Sequence, residues 1–269
     1  MEFDRFKEII KNNRIYDEDA KAAVNEFYSI TNCNGADIPK LMKEIGSKLN
    51  VTVIELPMKD NDFGAFFLST TYSKYLLLNS NQPRSKMYFS FCHDIYHVLK
   101  DNGSSNYINE KREVHFNSDY TTDPTECKAS LFAANLMMPE IEFRKMYMLY
   151  KENEKDGCLE NIVLKLMNYF NSPFNAVIIR LFELQILKDL KEVKEFLQIN
   201  DNTIRERLIK LWINDEIITP TLNDEMNYVF DKLDQEASKL IDDNLLSEHS
   251  YKKIVERLKY FYTKIRLNV

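Results

Sequence analysis

The apolar positions of the chain begin with a helical period. Residues from Phe3 to about Ser29 predict one or two helices, and ADIPKLMKEIGSKLN then sets Ile38, Leu41, Met42, Ile45 and Leu49 along one face of an amphipathic helix. Three short runs rich in β-formers follow, VTVIEL (51–56), GAFFLS (64–69) and YLLLN (75–79), separated by polar turns. They predict a small three-stranded antiparallel sheet. The run YFSFCHDIYHVL (88–99) is apolar almost all round, the pattern of a helix at the centre of a protein. After a polar loop, DPTECKASLFAANLMMP carries the marks of a bounded helix, with Asp123 as N-cap, Pro124 in the first turn and Pro139 as its stop.

Beyond residue 140 the pattern predicts helices only. Segment 170–186 aligns without a gap on segment 197–213, pairing Val177 with Ile204, Arg180 with Arg207, Leu181 with Leu208, Leu184 with Leu211 and Ile186 with Ile213. Each copy reads as helix, turn, helix. The final stretch, YKKIVERLKYFYTKIR, is a basic amphipathic helix. The fold class predicted is α+β, mainly helical.

Composition narrows the function. With 269 residues, 44% of them hydrophobic, and only five glycines and seven prolines, the chain can bury a large core and is not low-complexity. The opening MEFDRFKEIIKNNR has no apolar signal region, and no window is apolar enough for a membrane span, so a cytoplasmic protein is expected, with no membrane partner. Cys33, Cys92, Cys127 and Cys158 form no CxxC pair and read as reduced thiols. A net charge of −6 gives no support to DNA binding, and within 189–218 Lys191, Lys194, Arg205, Arg207 and Lys210 are outnumbered by seven carboxylates.

The candidate chemistry lies on the two central helices. His93 and His97 stand four apart, one turn apart on one face, where a single metal ion can bridge them; two buried histidines bonded to neighbours are the alternative. Asp94 occupies the place where the metallopeptidase motif HExxH has its glutamate base. Being one methylene shorter, it withdraws its carboxylate by roughly 1.5 Å from the attacking water. A purely structural carboxylate is the competing reading. Glu126 is the leading candidate for a third ligand, on a face with Ala129, Ser130, Ala133 and Met137, although its spacing from Asp123 suits a capping box, the reading these residues favour when taken alone. Tyr96 and His115 are secondary candidates, Tyr96 as packing or oxyanion donor and His115 as a donor from the loop, where Glu113 and Asp119 could orient an imidazole.

The ordered set GAFFLS, YLLLNSN, FSFCHDIYHVL and ECKASLFAANLMMP resembles the ImmA/IrrE metallopeptidases, over roughly Asp37 to Leu187. The resemblance implies that His93, His97 and Glu126 hold one zinc ion and that Phe132–Ala133 and Met138–Pro139 match the family's FA and MP pairs. It also implies that Arg180–Leu181 closes a helix-turn-helix-like segment. The expected organisation is a zincin-like domain over 1–140, a helix-turn-helix-like segment over 141–188 and a helical region over 189–269. The implied activity is peptide hydrolysis with Asp94 as base, acting on a partner protein such as a DNA-binding repressor of a mobile element or stress regulon. Three positions depart from the family pattern: Asp94 for glutamate, Tyr96 for glycine and Cys92 for alanine. A catalytically silent metal-binding regulator working through its C-terminal helices is the alternative.

Overall fold

The computed structural model describes residues 1–32, 37–70, 73–101, 123–154 and 156–266. The N-terminal apolar pattern forms one helix, α1 (Phe3–Thr31), which buries Phe6, Ile10, Ala20, Ala23, Val24 and Phe27. Helix α2 (Ile38–Leu49) starts where the Asp37 side chain accepts from the Lys40 amide at 3.1 Å. It ends at Asn50, whose left-handed φ of 52° turns the chain directly into β1 (Val51–Leu56).

β2 (Ala65–Ser69) and β3 (Lys74–Asn79) pair antiparallel as the sequence predicts, but β1 pairs with β3 in parallel and the strand order is β1-β3-β2. The sheet is therefore mixed, correcting the antiparallel expectation. Side chains at the end of β3 explain the order. Buried Asn79 donates to the Asp60 and Phe63 carbonyls at 2.8 and 2.9 Å and accepts from the Met58 amide at 3.0 Å. Asn81 donates to the Met58 carbonyl and Gln82 to that of Asn61. The segment after β1 is thus held across the end of the sheet rather than folded back beside β1, leaving the central place to β3.

One sheet face, with Val51, Leu76 and Leu78, packs on α3 (Arg84–Lys100), the near-continuously apolar helix, which buries Met87, Phe91, Cys92 and Ile95. Against α3 and α1 lies α4 (Pro124–Met137); its Phe132 meets Phe27 of α1 edge-on at 6.0 Å. The chain continues through α5 (Glu140–Asn153), α6 (Leu159–Tyr169), α7 (Phe174–Glu183), α8 (Leu190–Leu197), α9 (Asp201–Lys210) and a 3-10 turn at Asp215–Ile218. The matched segments end their helices alike: Leu184 and Leu211 bond back to the carbonyls of Arg180 and Arg207, and Ile186 and Ile213 to those of Leu181 and Leu208. Gln185 and Trp212, also matched, both take left-handed φ, 58° and 57°. A last hairpin, α10 (Met226–Asp242) and α11 (Glu248–Ile265), lies on the other sheet face, where Ile54, Leu56, Met58 and Met226 form a second small core.

Candidate metal centre

The close packing of α3 on α4 builds the site. Ala129 and Ala133 are fully buried between the two helices, and their small side chains let the backbones approach. Across that seam, His93 Nε2 lies 2.9 Å from one oxygen of Glu126, His97 Nε2 lies 3.5 Å from the other, and the two Nε2 atoms are 3.3 Å apart. Donors that share one zinc ion at about 2.0–2.1 Å in tetrahedral array stand roughly 3.3 Å from each other. Two imidazole nitrogens and a carboxylate that turns one oxygen to each thus stand at separations of the size such a coordination shell requires, and they fit a divalent metal.

Asp123 caps α4, accepting from the Thr125 amide at 2.7 Å, but Glu126 does not complete a capping box, because both its oxygens turn to the imidazoles. Asp94, 8% exposed, has a carboxylate oxygen within 4.8 Å of ring nitrogens of both histidines, a separation that one intervening water can span. Burial opposes protonation of His93, but the Glu126 hydrogen bond and the charges of Asp94 and Glu126 outweigh it and raise its pKa. For Glu126, burial pushes upward, yet the hydrogen bonds from His93 and His97 dominate and hold the carboxyl well below the usual range.

Ser130, one turn beyond Glu126, places Oγ 3.2 Å from His93 Nδ1. Without a metal, the Nε2 that faces Glu126 carries a proton; when a metal takes Nε2, the Ser130 hydroxyl is placed to accept the Nδ1–H that the neutral ring then keeps. The sequence places Ser130 on the inward face but gives its role only as smallness; the i, i+4 step from Glu126 is the signal for more. Tyr96 is buried, its ring 5.8 Å from that of Phe132 and edge-on to His97 at 5.9 Å, an arrangement of packing rather than of an exposed oxyanion donor. Burial raises the thiol pKa of both Cys92 and Cys127, which argues against reactive thiolates. His115, Glu113 and Asp119 lie outside the described residues.

A helix-borne HDxxH pair faced by a glutamate from the next helix, beside a small sheet, is the arrangement of a metallopeptidase-type protein. The family model Peptidase M78, IrrE N-terminal-like domain, matches residues 47–182, and the chain belongs to that family. The match spans the sheet, both helices of the cluster and the chain into the last turn of α7. No curated protein and no solved structure matches the chain. Membership in a peptidase family implies a protein substrate. Among the described residues no helix is long and apolar enough to cross a membrane.

Proposed function

We propose that the protein is a zinc-dependent metallo-endopeptidase of the ImmA/IrrE type that cleaves or inactivates a partner protein, such as a DNA-binding repressor of a mobile element or stress regulon. The observation that carries this reading is the convergence of the His93 and His97 Nε2 atoms and the two Glu126 oxygens, at separations of 2.9–3.5 Å, beside the Asp94 carboxylate. His93, His97 and Glu126 would hold the ion, and the Ser130 hydroxyl would accept Nδ1–H of a His93 ring that binds it through Nε2. When bound, zinc supplies Lewis acidity that polarises a scissile carbonyl and lowers the pKa of a water. Asp94 accepts the proton of the attacking water at its carboxylate and delivers it to the leaving amine. Burial of the Asp94 carboxylate keeps bulk water from competing for that proton.

The shorter carboxylate favours one other reading, a metal-binding regulator that hydrolyses nothing and acts through its helical C-terminal half. Metal content per chain, measured on protein free of a histidine tag, should be one zinc for the native chain and little for Glu126→Ala. A native chain that stays empty on adding zinc overturns both readings. With the metal in place, Asp94→Ala should retain zinc and lose at least about 100-fold in cleavage of a candidate repressor. Equal cleavage by native and variant protein would remove Asp94 from the chemistry, and absence of cleavage by either would leave the regulator.

A further inference from the structure

The sheet face turned away from the cluster borders a groove of about 290 Å³. Its floor is Ile54 and Leu56 of β1 with Tyr75 and Leu77 of β3, and its walls come from α10 and α11, among them Val229, Leu233, Leu258 and Phe261. The hairpin seals the sheet at the Met226 end, where Met226 is buried with Ile54, Leu56 and Met58, but its two helices leave the groove open between them and the sheet. At the mouth, Tyr228 and Phe261 remain 51% and 49% exposed, so large apolar side chains meet solvent where the core continues inward. Interiors close-pack, and a void of this size with apolar walls is the form of a ligand site rather than of a packed core.

Two charged side chains, Lys232 and Glu236, reach this lining. Lys232 is half-buried, its ammonium 5.8 Å over the Tyr228 ring, and no ion pair among the described residues engages it; Glu236 is exposed at the rim. An ammonium at the mouth of an apolar groove, with no ion pair among the described residues, favours a negative head carried on an apolar body. We propose that this groove binds a small amphipathic anion, a medium-chain aliphatic carboxylate of on the order of ten carbons, with the chain on Ile54, Leu77 and Leu233 and the carboxylate at Lys232.

The proposal is independent of the metal cluster and is tested on the full-length chain by calorimetric titration with decanoate and with decanol, both below their aggregation concentrations. Decanoate should bind once per chain and saturate. Leu233→Trp, which fills the groove, should abolish that binding. Lys232→Met, which keeps the stem and removes the charge, should weaken decanoate about tenfold and leave decanol unchanged. Circular dichroism and a melting curve for each variant separate loss of the site from loss of the fold, and Lys232→Met, which keeps the length and apolar stem of a half-buried side chain, keeps the test open where Leu233→Trp fails to fold. Failure of decanoate to saturate the native chain overturns the proposal, as does binding that survives in folded Leu233→Trp. Equal affinities of native protein and Lys232→Met for decanoate overturn the anion assignment.

Discussion

At the scale of single residues, the cluster is a proton-linked site before it is a metal site. The His93 pKa is raised above its ordinary 6.5, so the stability it contributes is present below that value and is lost as pH rises through its folded-state pKa. Glu126 is depressed below its ordinary 4.5, so its contribution is present above that value and is lost as pH falls through its folded-state pKa. The two overlap between about 4.5 and 6.5. Metal-free protein should therefore melt higher near pH 5.5 than near pH 8 relative to Glu126→Gln, in which the ion pair is gone. The same pH difference in both proteins would show that other groups set it. Metal binding should run the other way, tightening as pH rises, because the ion needs neutral imidazoles.

The same residues show what the sequence carries. Four positions on a helix amount to one turn whatever the surroundings, so His93 and His97 declare their shared face, and the helix boundaries around Asp123 and Pro139 place Glu126 within reach. Whether Glu126 caps its own helix or faces the histidines depends on the distance between α3 and α4, a tertiary quantity set by Ala129 and Ala133. The contact of Ser130 with His93 Nδ1 depends on the same approach.

At the scale of elements, Arg180 joins the helices beyond the cluster to α4. Only 4% of its side chain is exposed, and it donates to the Met138 carbonyl at 3.2 Å, to Asn135 Oδ1 at 2.9 Å and to Glu183 at 3.3 Å. Burial raises the Glu183 pKa, against the pull of Arg180, so this carboxylate depends on its cation. Arg180→Met keeps the apolar stem yet leaves a carbonyl, an amide oxygen and a buried carboxylate short of a donor, and should lower unfolding free energy by about 3 kcal/mol. Denaturant titration at unchanged slope is the check; a loss under about 1 kcal/mol would mean that water replaces the guanidinium. The sequence offers this position only as one half of an aligned pair, and its partner Arg207, more exposed, instead bonds the largely buried Glu160 of α6. Helix periods and caps were readable because they are local. Strand order was not, because alternation within 51–56, 64–69 and 75–79 is the same for either neighbour, and the choice rests on where Asn79 and Asn81 hold the 58–63 segment.

At the scale of the molecule, one three-stranded sheet serves two cores. Alternate residues of β3 point in opposite directions: Leu76 and Leu78 go into the main core with α3, and Tyr75 and Leu77 into the small core under α10 and α11. The hairpin is also tied to the sheet at its edges: the Glu55 and Glu225 backbones bond at 3.0 Å, Arg266 pairs with Asp224 at 3.0 Å, and Tyr262 donates to Asp224, which helps burial push its phenol pKa up to about 12. A basic amphipathic helix at the end of the sequence does not reveal this task, since its apolar stripe fits any apolar surface. The role follows from the sheet face it covers. A chain ended after Asn223 should keep the metal stoichiometry measured for the 269-residue chain, because every residue of the cluster and of the α1–α3–α4 core remains. It should also expose Ile54, Leu56, Tyr75 and Leu77 as one apolar patch, and so bind a hydrophobic dye and self-associate at micromolar concentration. Size-exclusion chromatography with light scattering, run beside metal analysis, reads both properties. A truncated chain that stays monomeric and dye-silent would show that the sheet needs no cover, and one that loses its metal would show that the two cores fold as a single unit.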